Sequence, residues 1–234
     1  MDKRFWGALI IIVLILGGVF LFAGGNKNNP GSTSSQPTSH VEGQGADGIT
    51  LVEYGDYECP FCGEYFPIVK QVEQIYNSQI FFQFRNLPLT EIHPNAFAGA
   101  RAAEAAGLMG QFWQMHDLLY ENQSAWVNTT NPETEFESFA QQLGLNVSTF
   151  EQDFTSTQVN NLINADLAAF AKTGLQEATP TFILDGKQVQ PQASVSSFEQ
   201  IINAEIKKKG FTPPAGTTST GSSSTSTSPT QSVQ

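Results

Sequence analysis

The chain has 234 residues, with 22 acidic and 11 basic side chains and a formal net charge of −11 at neutral pH. That excess of negative charge argues against nucleic acid and anionic lipid surfaces as partners. The length permits one or two folded domains, and two distinctive ends must be set aside first.

Residues Phe5 to Ala23 are 19 consecutive uncharged, mostly apolar residues. As a helix they would reach about 28 Å, close to the hydrocarbon thickness of a bilayer. Lys3 and Arg4 precede them and no basic cluster follows closely. The positive-inside rule therefore leaves residues 1–4 in the cytosol and the remainder outside. A cleaved signal peptide, with Ala23-Gly24-Gly25 at the cleavage site, is the alternative to this single-pass anchor. Residues 24–47 are rich in Gly, Asn, Ser, Thr, Pro and Gln and are predicted to be a flexible tether. Residues 213–234 are a low-complexity, uncharged tail. What remains, 48–212, suffices for one domain with a real core.

In chain order, Ile49 to Tyr54 is predicted to be a central strand, apolar on both faces. Gly55-Asp56 breaks it, and a helix follows from Pro60 to Tyr76, with Pro67 expected to kink it. Ile80 to Phe84 is a second strand, parallel to the first through a right-handed crossover. A helical stretch at about 88–174 comes next. Its expected helices are Pro94–Ala106, stopped by Gly107; Gln111–Glu121; one capped by Asn131-Pro132; one with a Ser148/Glu151 capping box; and Val159–Lys172. Thr181–Leu184 and Lys187–Val189 form a hairpin across Asp185-Gly186. Ser196–Lys208 is the last helix, with Ser196 and Glu199 at capping-box spacing. The fold class is α/β: a thioredoxin fold with an inserted helical subdomain, preceded by one N-terminal transmembrane helix.

The only two cysteines, Cys59 and Cys62, sit three apart at the strand-to-helix junction. As a structural staple they would be poor, because stabilisation grows with the size of the closed loop. As a zinc site they lack partners, since only His40, His93 and His116 exist and none has matching spacing. Redox chemistry fits better. A cysteine at a helix N-terminus meets free backbone N–H groups and the positive end of the helix dipole, which favour a thiolate. Pro60 costs nothing at the first helical position. Cys62, one turn on, is expected to be the more buried sulfur that resolves a mixed disulfide.

The segment from Glu53 to Cys62 resembles the active-site segment of DsbA-like thiol–disulfide oxidoreductases, in particular their membrane-tethered bacterial branch. The resemblance spans about 48–210 and includes His93-Pro94-Asn95, the Phe112-to-Asp117 helix and Thr179-Pro180-Thr181. It implies that Cys59 is the nucleophile and Cys62 the resolving thiol. It also implies that Pro180 is a cis-proline facing the disulfide, with Thr179, Pro60 and Phe61 beside the substrate. Glu53 lies six residues before Cys59, where such proteins hold a buried acid; a raised pKa would let it take the proton from Cys62. An exposed strand-end glutamate is the plainer alternative. Phe61 stands where the best-known pattern has histidine, and Asp56, Glu58 and Glu64 lie nearby. The expected enzyme is therefore a weaker oxidant than its histidine-bearing relatives. His93 and His116 are read as structural.

The reading as a whole is a membrane-anchored, extracytoplasmic oxidase that introduces disulfides into exported, reduced proteins. No metal or organic cofactor is needed, and the resemblance implies a membrane quinone-linked partner that reoxidises the pair. A reductase or isomerase of the same fold is one rival, and a tethered non-enzymatic chaperone is another.

Overall fold

The computed structural model describes residues 36–214. The predicted membrane helix at residues 5–23, the first part of the tether and the tail from residue 215 lie outside them. Among the described residues no helix is long and apolar enough to cross a membrane.

Five strands form one sheet, and its centre is the strand that leads to the cysteines. In chain order they are β1 (His40–Glu42), β2 (Ile49–Gly55), β3 (Ile80–Asn86), β4 (Thr181–Leu184) and β5 (Lys187–Val189), arranged β1-β3-β2-β4-β5. β2 runs parallel to β3, with Glu53 opposite Phe84, and antiparallel to β4, with Glu53 opposite Phe182. Side chains alternate across a strand, so Ile49, Leu51 and Glu53 share one face while Tyr54 points to the other. The first face is covered by α1 (Pro60–Tyr76), whose Cys62, Val69, Val72 and Tyr76 are buried in the main core. The C-terminal helix, α8 (Val195–Lys208), packs on the same core through Phe198, Ile202 and Ile206. On the opposite face Tyr54 meets Phe170 edge-on at 5.0 Å.

Between β3 and β4 the chain forms α2 (Ala96–Leu108), α3 (Phe112–Glu121), α4 (Gln123–Trp126), α5 (Glu133–Gln142), α6 (Val147–Phe154) and α7 (Thr157–Ala171). The inserted helical region is thus present where expected, on a thioredoxin core. α1 keeps its predicted ends and runs through Pro67 as one helix. The β4–β5 turn has positive φ at both Asp185 (47°) and Gly186 (77°), the backbone of a type I′ hairpin.

Several local expectations need correction. Gly107 does not stop α2, which continues to Leu108. α5 starts at Glu133, with Pro132 rather than Asn131 at the cap position. The cap of α6 is Asn146, whose Oδ1 accepts from the Thr149 N–H at 2.9 Å, and not Ser148. The cap of α8 is Ser194, which accepts from the Ser197 N–H, and not Ser196. Asn146 and Ser194 each stand two residues before the expected cap, and in both places the upstream side chain wins the free N–H groups.

The folded part also begins before Gly48. β1 lies in the stretch read as tether and pairs antiparallel with β3, His40 opposite Phe84. Ahead of it Thr38 is buried, and its N–H and hydroxyl both donate to the Asp166 carboxylate, at 2.8 and 2.7 Å. Asp166 also accepts from the Asn86 N–H at 3.0 Å. A buried carboxylate is tolerable only with such donors.

Candidate active site

The site lies at the C-terminal end of β2, where the chain turns into α1. Cys59 is the N-cap of α1, with extended backbone (φ −67°, ψ 122°), and Pro60 occupies the first turn. The free N–H groups of that turn therefore surround the Cys59 sulfur. Cys59 is 4% exposed and Cys62 0% exposed; both are thiols in this structure. The Cys62 sulfur accepts from the Asp56 N–H at 3.5 Å.

Thr179 and Pro180 come from 120 residues away and complete the site. The Thr179–Pro180 peptide is cis, and the Cys59 thiol donates to the Thr179 carbonyl at 3.4 Å. The Thr179 hydroxyl is buried without a hydrogen-bond partner in the dithiol. Phe61 is 65% exposed, and beside it opens a cleft of about 300 Å³ lined by Phe61, Tyr65, Thr179, Pro180, Val189 and Pro191. Pro60 is exposed but does not line that cleft.

The electrostatics divide the two sulfurs. The Cys59 pKa falls from 9.0 to about 6, chiefly through the hydrogen bond from the Cys62 thiol; burial opposes the fall, and the Thr179 hydroxyl and the N–H groups of Cys62 and Phe61 assist it. Burial pushes the Cys62 thiol up, and the hydrogen bond it gives to Cys59 pushes it further. Glu53 is 3% exposed, on the sheet face that α1 covers. Burial raises its carboxyl to about 8, with the Glu73 and Cys59 charges adding to the rise.

The acids expected to oppose a Cys59 thiolate are occupied elsewhere. Asp56 is 1% exposed. Its carboxylate accepts from the N–H groups of Glu58 and Leu89, at 2.8 and 2.9 Å, and pairs with His93 Nδ1 at 2.7 Å. The Glu58 carboxylate accepts from the Asn95 N–H, and Glu64 is exposed. His93 thus braces the loop before the cysteines. His116 is buried, packed edge-on to Tyr57 and Phe84, with its pKa lowered by burial.

Two residues that the sequence reading passed over also reach the site. Gln123 Nε2 donates to the carbonyls of Tyr57 and Cys59, at 2.8 and 2.9 Å. A Cβ at residue 63 would lie 2.7 Å from Gln123 Oε1, so Gly63 admits this contact. Tyr120 follows the predicted Phe112-to-Asp117 motif on α3 and is buried against Phe66 and Tyr57. The glutamine that opens α4 and the tyrosine within α3 were visible as residues, but nothing local aims either at a segment some 60 positions earlier.

A family profile described as Thioredoxin matches residues 35–204. The chain is 32% identical over 177 residues to a protein of Salinispora tropica named Na(+)/H(+) antiporter NhaA 3, covering 76% of this chain and 26% of that one. It is 35% identical over 154 residues to the Na(+)/H(+) antiporter NhaA 1 of Salinispora arenicola, covering 64% and 22%. The chain thus spans about a quarter of the length of these curated relatives. Among solved structures it is similar to oxidised BdbD from Bacillus subtilis, with a TM-score of 0.64 at 22% identity over 74% of this chain and 96% of that one. It is also similar to MdbA, a thiol-disulfide oxidoreductase from Corynebacterium diphtheriae, with a TM-score of 0.54 at 18% identity over 75% and 99%. The profile covers most of the described residues, with the cysteine pair at the start of α1 and helices inserted after β3: the chain belongs to the thioredoxin family.

Proposed function

We propose that the chain is a membrane-tethered, extracytoplasmic thiol–disulfide oxidase that introduces disulfides into exported proteins. One arrangement carries the direction: Cys59 sits at the N-cap of α1 against Thr179, where hydrogen bonds lower its pKa to about 6, while full burial keeps the proton on Cys62. A pair whose nucleophile ionises easily is stabilised in its reduced form, so its disulfide draws electrons from other thiols. The apolar run at residues 5–23 after Lys3 and Arg4 supports the tether and its orientation.

In the proposed cycle a substrate thiolate attacks Cys59 Sγ, because Cys62 is wholly buried. The Cys59–Cys62 bond breaks and its electron pair leaves on Cys62. Glu53, protonated below about 8, gives Cys62 its proton. A second substrate thiolate then attacks the substrate sulfur of the mixed disulfide and releases Cys59 as a thiolate. The substrate leaves oxidised by two electrons and the pair is left reduced. An extended substrate segment has the cleft between Phe61 and Pro180 to lie in. A membrane quinone-linked partner, by resemblance, would reoxidise the pair.

Equilibration of the full chain with glutathione tests the direction. The expected reduction potential lies above the ~−180 mV of protein disulfide isomerase and towards the ~−120 mV of the strongest oxidant of this kind. A value near thioredoxin's ~−270 mV would mean that the pair serves as a reductant.

A further inference from the structure

Two phenol hydroxyls beneath the cysteines, those of Tyr57 and Tyr120, are buried without any hydrogen-bond partner. Each such group costs free energy and asks for a reason. The Tyr57 and Tyr120 rings lie 4.9 Å apart, and of the two it is Tyr120 on which the Cys62 charge bears. Its ring stacks at 5.3 Å on Phe66, one turn beyond Cys62 on the same face of α1. It meets Phe84, the residue opposite Glu53 in the sheet, at 6.4 Å. Its hydroxyl rests against Gly55, where an added Cβ would lie 3.0 Å from it. The residue after Gly55 is Asp56, whose N–H already points at Cys62 Sγ. The ring is therefore enclosed by the strand end, the helix turn and the neighbour of Glu53, and its hydroxyl lies one residue from the N–H that donates to the buried sulfur.

We propose that the Tyr120 hydroxyl is the hydrogen-bond donor that receives the Cys62 thiolate when the disulfide opens. Together with the Asp56 N–H it would give the leaving sulfur two donors in a site closed to water. In the dithiol state Cys62 Sγ accepts from the Asp56 N–H, and the Tyr120 hydroxyl, still unpartnered, turns to the sulfur as its second donor once the thiolate forms. Tyr120 moves no proton itself: burial and the nearby Cys62 and Glu53 charges push its pKa well above 10.0, so it stays a donor while Glu53 supplies the proton. In the reverse step the same bond lowers the cost of ionising Cys62 before it attacks Cys59. This makes Tyr120 a positioning residue, and the inference rests on exchange at the Cys59–Cys62 pair, in either direction.

The test is the rate at which the oxidised full chain is reduced by dithiothreitol, read by acid quench and thiol alkylation across the pH range, in wild type, Tyr120→Phe and Tyr57→Phe. Loss of one hydrogen bond to a charged leaving group should slow Tyr120→Phe by about ten-fold or more. A mixed disulfide between Cys59 and glutathione should also persist longer in that variant, with the pH limb for its resolution displaced upward. Both variants delete an unpartnered buried hydroxyl, so both should unfold at the wild-type temperature or above it. Tyr57→Phe should exchange at the wild-type rate. Slowing that came with lower stability would point to a packing role for Tyr120 and overturn the proposal. So would a wild-type rate in Tyr120→Phe, or equal slowing in the two variants. If wild-type protein itself does not exchange with dithiothreitol, the redox reading fails and the proposal with it.

Discussion

Replacing Thr179 by valine removes a buried, otherwise unpartnered hydroxyl from beside the Cys59 sulfur and leaves the side-chain volume nearly unchanged. The Cys59 pKa is depressed in the folded dithiol, so its contribution to stability is present above the ordinary value of 9.0 and is lost as pH falls through about 6. At pH 7 this thiolate stabilises the reduced form by about 1.4 kcal/mol, which is about 30 mV for a two-electron couple. The Thr179 hydroxyl supplies one of the bonds behind that shift. A modest hydrogen bond to a charged sulfur is worth about 1.4 kcal/mol, or about one pH unit. Thr179→Val should therefore raise the Cys59 pKa from about 6 by about one unit and lower the potential at pH 7 by about 20 mV. Thiolate absorbance reads the first quantity and glutathione equilibration the second. An unchanged titration in the variant, or a wild-type Cys59 that titrates near 9.0, would refute the reasoning.

Three further perturbations probe the groups around the pair. The Glu53 pKa is raised from 4.5 to about 8, so the folded state alone holds that proton across the interval and stability falls there by about 1.4 kcal/mol per pH unit. Glu53→Gln should remove that slope, and urea midpoints at acidic and at slightly alkaline pH would show whether wild type loses more stability than the variant. Asp56→Ala strands the N–H groups of Glu58 and Leu89 and frees His93; the expected cost is about 3 kcal/mol, and an unfolding midpoint equal to wild type would contradict it. Asp166→Ala unpins Thr38 and Asn86 at a similar cost of about 3 kcal/mol. In that variant amide hydrogen exchange should accelerate in His40–Glu42 and leave β2 protected.

The β2–α1–β3 unit and the Asp185-Gly186 hairpin were legible because their signals are local. Apolar runs bounded by turn residues, and a proline at the first helical position, state their own structure. β1 was not legible. Its three residues sit among Gly, Ser and Gln, and they are ordered by pairing with β3 and by a carboxylate at position 166. The helix caps failed in a narrower way, since two competent side chains stood two residues apart and only the packed geometry selects between them. At the site, the motif placed Cys59 and Cys62 and the alternation of β2 hinted at a buried Glu53. The expectation that nearby acids would oppose the thiolate depended on their side chains approaching Cys59, which distance along the chain could not tell for Asp56 and Glu58. In the fold both carboxylates face backbone N–H groups of the segment at residues 89–95.

That segment shows what the inserted helices do for the chemistry. A thioredoxin core alone presents a cysteine at a helix N-terminus, and the insertion then closes around it from behind. His93 and Asn95 engage Asp56 and Glu58 and so hold the turn before Cys59. The Asn95 side chain in turn donates to the carbonyls of Val127 and Thr129, at 3.1 and 3.0 Å, which ties that brace to the turn after α4. Gln123 spans the carbonyls of Tyr57 and Cys59, which fixes the peptide that carries the Cys59 sulfur. These contacts leave Phe61 and the Pro180 cleft open while Cys62 and Glu53 stay buried. In the proposed exchange the two sulfurs differ in degree, Cys62 wholly enclosed and Cys59 4% exposed, so attack would come at Cys59, charge would develop at Cys62, and the proton that neutralises it would come from within.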